Sequence, residues 1–268
     1  MTSNEQTPRE WNATEYHRLA NPHVSWGRRV LDRLPLNGNE TVIDAGCGSG
    51  RLTAELAGQL PNGQVIAIDL SANMLEQAKQ HLLPLAGSRV RFRQADLQHL
   101  SVDEPVDAIF STAALHWVLD HQTMFDHFFA ALKPGGWLVA QCGGGPNIAG
   151  VLERAELLMR SDELGRYFAG WSGPWEFADA DETAQRLENS GFVSIATGLE
   201  DAPVTLSDER EYRDYLETVV FGSHLARIPD RSLQAMFLDR LTAQAASDTP
   251  PFFLDYWRLN IQAQKPEG

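Results

Sequence analysis

Asp44, Asp69 and Asp96, together with Gly46, Gly48 and Gly50, are the residues of the first hundred whose types and spacing are suited to ligand chemistry. The run Asp44-Ala45-Gly46-Cys47-Gly48-Ser49-Gly50 sets an acid ahead of glycines at alternate positions. Lacking a Cβ, those glycines let the main chain turn sharply and approach a bound molecule closely. Asp69 follows twenty-five residues after Asp44, at the end of the apolar run Val65-Ile66-Ala67-Ile68. An acid at such a strand tip either accepts hydrogen bonds from both hydroxyls of a ribose or is a solvated strand end. Farther on, His116-Trp117 follows another apolar run, Val106 to Ser111. Imidazole beside indole can orient an acceptor or take a proton from it; equally, His116 can cap a turn and Trp117 pack in the core.

The elements that must position these groups follow from periodicity. Thr41-Val42-Ile43 reads as a buried strand and Arg51 to Leu60 as a helix, giving strand, tight loop and helix. Arg89 to Gln94 alternates as a third strand, and Ser71 is placed to N-cap a helix from Ala72 to Leu83. A dinucleotide fingerprint starting at Gly46 requires glycine at position 51, where this chain has Arg51. No Gly-Lys-Ser or Gly-Lys-Thr follows the loop, which excludes a Walker phosphate loop there.

The acid-first pattern Asp44-x-Gly46-x-Gly48-x-Gly50 resembles motif I of the class I S-adenosylmethionine (SAM)-dependent methyltransferases. Ala95-Asp96-Leu97 is similar to that family's adenine-contacting segment, and Ala131 to Val139 to its helix end, Pro-Gly-Gly turn and fifth strand. The resemblance implies a doubly wound, seven-stranded, mostly parallel α/β sheet with helical cap insertions. It implies SAM as cofactor, with contacts from Tyr16, Asp44, Gly46, Cys47, Gly48, Gly50, Asp69, Leu70, Met74, Asp96, Leu97 and Ser111. Met74 resembles the apolar residue packed on adenine, although a core methionine facing the sheet fits the same position. Cys47 reads as a small filler of the loop rather than a nucleophile.

A closer likeness rests on Trp11-Asn12, Val42 to Gly50, Ala113-Ala114-Leu115-His116-Trp117 and Phe253-Leu254-Asp255-Tyr256-x-Arg258-Leu259. Together these resemble the trans-aconitate methyltransferase group, which methylates carboxylates. Within it, His116 and Trp117 are the candidate catalytic pair. An ionised carboxylate needs no general base, so no catalytic dyad need exist. The scattered cations available for an acid are Arg51, Arg166, Arg213, Arg227 and Arg258. His23, His81, His99, His121, His127 and His224 have no supporting spacing and read as surface or turn residues. C- or N-methylation of a hydrophobic natural product is the second enzymatic reading, drawn from the Trp and Phe content of residues 168–177. A SAM-binding regulatory module without turnover is the third.

Composition bounds these readings. The net charge of −14 opposes a nucleic-acid substrate, which would require clustered Lys and Arg. No 18-residue apolar run occurs and the first residues are polar, so the expectation is a cytoplasmic protein with no membrane span. Two cysteines, Cys47 and Cys142, are too few for a zinc cluster or a disulfide framework, and no metal is expected. The expected organisation is an N-terminal helical cover over 1–36, a SAM-binding core over 37–146 and a cap segment over 147–178. A core helix and strand over 179–206, a helical insertion over 207–249 and a final core strand over 250–268 complete it. The expected partner is a small-molecule acceptor.

Overall fold

In the computed structural model the described residues are 21–268. Trp11, Asn12 and Tyr16 lie outside them. The first described element is α1, Asn21–Leu31. The nucleus of the sheet is β1 (Thr41–Ala45), which pairs in parallel with β2 (Gln64–Asp69) and β4 (Val106–Thr112). β3 (Val90–Gln94) flanks β2, and β5 (Leu132–Gly143) flanks β4. The last strand, β9 (Trp257–Gln264), is antiparallel to β5 and to β6 (Val193–Asp201). The resulting order, β3-β2-β1-β4-β5-β9-β6, reverses direction on either side of β1 and is the expected seven-stranded architecture. In such sheets ligands bind beyond the carboxyl ends of the strands where the order switches.

Local sequence accounts for most of the connecting helices. Ser71 Oγ accepts the Met74 N–H to start α3 (Ala72–Ala86), which follows α2 (Arg51–Gln59). Asp120 caps α4 (His121–Ala131) through the Thr123 N–H. Asp179 caps α7 (Ala180–Ser190) through the Glu182 N–H, and Gly191, at φ +98°, ends it.

Two expected element boundaries shift. The Pro-Gly-Gly run does not precede the fifth strand: α4 stops at Ala131 and β5 already begins at Leu132, with the pairing to β4 jumping from Leu132 to Trp137 across the run. Phe253 to Ala263 is not one strand. β8 (Phe253–Leu254) pairs with β7 (Val204–Thr205) in a separate two-stranded sheet, and the chain bends at Asp255-Tyr256 before β9 begins.

The segments after β5 and β7 build a second hydrophobic core. It joins α5 (Ala149–Met159), α6 (Gly165–Phe168), α8 (Glu209–Tyr215), α9 (Gly222–Leu225) and α10 (Arg231–Ala245). Its fully buried centre is Tyr212, Tyr215, Phe221 and Phe237, and Trp26 of α1 and Tyr256 belong to the same cluster. Between α8 and α9, Leu216–Val220 is a single π-helical turn, a distortion frequently found at functional sites.

Candidate active site

The glycine loop leaves the tip of β1 and is held from behind. Gly46 and Cys47 both donate their N–H groups to the Ile68 carbonyl, at 2.8 and 2.9 Å. Gly46 (φ +82°) cannot carry a side chain, because a Cβ there would lie 2.2 Å from Ala114 Cβ. Gly50, also at φ +82°, would place a Cβ 2.7 Å from Leu82. Gly48 is different: its φ is +53°, yet nothing lies within 4 Å of where its Cβ would be. Two glycines are thus needed for packing, and the third keeps the backbone bare toward open space, as a loop shaped for close approach of a ligand requires.

Asp69 organises the rim of this loop. Its carboxylate accepts the Gly48 N–H on one oxygen and the Ser71 N–H on the other, each at 2.9 Å, while the residue stays half-buried at the tip of β2. Leu70 beside it is 41% exposed, and Met74 is buried in the first turn of α3. Asp96 is exposed beyond β3; one oxygen accepts the Gln98 N–H and the other lies 3.3 Å from His99 Nδ1, while Leu97 is buried.

Asp44 and Ser111 lie behind the loop. Asp44 is 2% exposed and accepts the Thr53 hydroxyl at 2.6 Å. Burial pushes its carboxyl up to about 7, the Thr53 hydrogen bond opposes the shift, and the nearby charge of Asp69 adds to it. Ser111 is among the expected contacts at this end of the sheet. It is fully buried and donates to the Ala45 carbonyl at 2.6 Å, so its side chain ties β4 to β1. Burial, then the charges of Asp69 and Asp44, hold the Cys47 thiol well above its ordinary range.

A cavity of about 40 Å3 adjoins the loop. The two are joined at the end of β4: Ala114 abuts Gly46, and its neighbour Ala113 lines the cavity. Ala113 (φ +55°) and Ile148 (φ +51°), both on this wall, are held in the left-handed region. For a β-branched residue that conformation is strained, and such strain clusters at functional sites.

His116 and Trp117 both line the cavity, their ring centroids 5.4 Å apart. His116 Nδ1 accepts the buried Gly143 N–H at 3.2 Å, which fixes the ring's orientation and leaves its proton on Nε2. Its carbonyl accepts the Glu176 N–H, drawing the following stretch over it. There Trp175 and Phe177 stack at 5.5 Å and 14°, with Phe177 5.7 Å from His116 and Trp175 5.6 Å from Trp117. Val219 and Val220 of the π turn close the apolar side.

The polar side comes from the far end of the chain. Arg258 is 2% exposed and lies on the cavity wall, its guanidinium 4.8 Å over the Trp26 ring. Tyr256 is next to it; its hydroxyl lies 2.8 Å from that of Tyr215, and burial pushes its phenol up to about 12, so it stays protonated at neutral pH. Buried Asn147 shares the wall, and its Oδ1 accepts the Trp257 N–H.

Of the five scattered cations, the structure brings only Arg258 to this cavity among the described residues. Arg213 is paired with Asp239 and Glu217, Arg166 donates to the Tyr167 hydroxyl, and Arg227 donates to the Tyr167 carbonyl. The reading of His121 and His224 as surface or turn residues is also corrected. His121 is buried, with Nε2 on the Leu115 carbonyl. His224 is buried among Trp171, Trp175 and Phe221. Tyr256, Asn147, Trp175, Phe177, Val219 and Val220 were not legible as site residues. Tyr256 stood only within the terminal resemblance motif, Trp175 and Phe177 only within the aromatic content of residues 168–177, and the others only within segments flanking the core.

Comparison with known proteins agrees with this geometry. A family model described as a methyltransferase domain matches residues 42–136, the stretch holding the glycine loop, Asp69, Asp96 and His116-Trp117. A trans-aconitate 2-methyltransferase of Deinococcus radiodurans is 29% identical over 96% of this chain and 99% of its own length. One from Azoarcus sp. is 37% identical, but the match spans 49% of this chain and only half of that protein. The YcgJ protein of Bacillus subtilis superposes with a TM-score of 0.63 at 17% identity, over 92% of this chain and 100% of that one. A phosphoethanolamine N-methyltransferase of Haemonchus contortus gives 0.61 at 18%, over 95% of this chain and 57% of its own. At those identities the structures testify to the fold. No described helix is long and apolar enough to cross a membrane. The glycine loop, the sheet order, a methyltransferase domain over residues 42–136 and a 29% identical relative matching end to end support a SAM-dependent methyltransferase of the class I architecture.

Proposed function

We propose that this methyltransferase esterifies a carboxylate of a small molecule, and the observation that carries the reading is Arg258 on the wall of the cavity beside the glycine loop. A guanidinium presents a planar fork matched to a carboxylate, and in a water-poor site such a charge-assisted contact is stronger than on the surface. The protonated Tyr256 phenol beside it is a second candidate donor. The naming of the Deinococcus and Azoarcus relatives as trans-aconitate 2-methyltransferases supports the same acceptor group.

On this reading the bare backbone at Gly48 and the rim formed by Asp69, Leu70 and Asp96-Leu97 hold SAM, with Asp69 accepting from the ribose. When bound, SAM supplies a methyl group on a sulfonium that leaves as a neutral thioether. A carboxylate is already ionised at neutral pH, so no residue has to remove a proton from it. The chain's part is to align and desolvate, and positioning of this kind is worth roughly 7–11 kcal/mol of barrier. His116, oriented by Gly143, and Trp117 shape the acceptor side and act as positioning groups. Residues 147–178 and 207–249, with α1, form the cover that selects the acceptor.

The test is the chemistry of the product. With SAM labelled in its methyl group, a carboxyl methyl ester releases volatile labelled methanol under mild base, whereas N-, C- and ether O-methyl products do not. Base-stable label on the preferred acceptor would favour methylation of carbon or nitrogen instead.

A further inference from the structure

Resting on the carboxylate reading, we infer that the acceptor is a monocarboxylic acid with an apolar body, and not a tricarboxylate such as trans-aconitate. The cavity has one cation, Arg258, among the described residues that line it. Four other arginines of the surrounding segments are paired elsewhere. Arg154 forms a two-pronged pair with Asp248, Arg186 is held by Glu176 and Glu182, Arg213 by Asp239 and Glu217, and Arg240 by Glu163. Each of these pairs would have to break to bring a second positive charge inward.

Among the described residues, the rest of the wall offers an anion no second arginine or lysine. Ile148, Val219 and Val220 present aliphatic carbon, and Trp117, Trp175 and Phe177 present aromatic carbon. The polar groups remaining are Asn147, His116 and the Tyr256 phenol, which can donate hydrogen bonds to a carboxylate but supply no guanidinium or ammonium to pair with it. A tricarboxylate could place one charge on Arg258, and among the described residues its other two would meet hydrogen-bond donors and carbon surfaces but no second arginine or lysine, in a protein carrying a net charge of −14. An ionised carboxylate taken out of water without a partner is strongly disfavoured. An apolar body, by contrast, gains from contact with every one of these side chains.

The experiment varies the number of charges on the same carbon count. Hexanoate and trans-2-hexenoate, adipate, and trans-aconitate and tricarballylate are each offered to the full chain. Binding is read by calorimetry with and without S-adenosylhomocysteine, and base-labile methyl transfer by the methanol assay. Phenylacetate and octanoate extend the apolar body. We expect kcat/KM and affinity to fall stepwise with each added carboxylate, by about a hundredfold or more between the mono- and tricarboxylates. Equal or better binding and turnover of trans-aconitate overturns this inference while leaving the carboxylate reading intact. If no acid of any charge binds or is methylated, the carboxylate reading fails and this inference fails with it.

Discussion

Replacing Arg258 with methionine removes the cavity's guanidinium while keeping an unbranched stem of similar reach over the Trp26 ring, where the guanidinium now sits at 4.8 Å. A hydrogen bond to a charged group contributes about 1.5–3 kcal/mol, and 1.4 kcal/mol is a factor of ten. The variant should therefore lose roughly 10- to 150-fold in kcat/KM on a carboxylate acceptor. Arg258→Lys keeps the charge and loses the fork, so it should fall between parent and methionine variant. Two controls isolate the cause. Affinity for S-adenosylhomocysteine should stay within about twofold of the parent, since Arg258 lies on the cavity wall and not at the glycine loop. Binding of the acceptor's uncharged amide, measured by calorimetry, should change little. A methionine variant with parental KM and kcat on the acid would refute the assignment of Arg258 as the carboxylate anchor. Equal losses on acid and amide would mean that the side chain matters through packing on Trp26 and not through its charge.

Three further perturbations test the donor side. Gly48→Ala puts a methyl group into open space at φ +53°, so it should cost only about 1 kcal/mol of stability yet sharply weaken S-adenosylhomocysteine binding; Gly50→Ala, whose Cβ would meet Leu82 at 2.7 Å, should lower the melting temperature more. Asp69→Asn should weaken S-adenosylhomocysteine binding by about tenfold or more, because a neutral amide accepts more weakly from ribose hydroxyls; binding within twofold of the parent would remove the ribose role. Asp44 carries the pH dependence. Its folded carboxyl holds a proton up to about pH 7, whereas the unfolded one releases it near 3.8, so the folded state binds more protons between these limits. Stability therefore falls as pH rises from about 4 to 7, by at most about 4 kcal/mol, and levels off above. Thermal unfolding of Asp44→Asn, which can still accept from Thr53, should lack that slope; the same slope in both proteins would place its origin elsewhere.

The donor side of this molecule is encoded locally, and that is why it could be read from the chain. Gly46, Gly48 and Gly50 belong to one turn, and Asp69 and Asp96 each end a strand whose neighbours in the sheet are set by short crossovers. The caps at Ser71 and Asp179 act within three residues of themselves. The acceptor side has no such locality. Its wall is drawn from residues 113–117, 147–148, 175–177, 219–220 and 256–258, and no periodicity links positions more than a hundred residues apart. Arg258 illustrates the difference. In the chain it sits in an alternating run like any half-exposed strand arginine, and only the antiparallel entry of β9 between β5 and β6 carries it under Trp26. The same run conceals the bend at Asp255-Tyr256, where Asp255 accepts the Gly150 N–H at the start of α5 while Tyr256 turns inward to Tyr215. Because that bend lies between β8 of the small sheet and β9 of the large one, it couples the cap to the core beside the cavity. A cap built this way can exchange its lining residues, and with them its acceptor, without disturbing the glycine loop, so relatives that share residues 42–136 need not share a substrate.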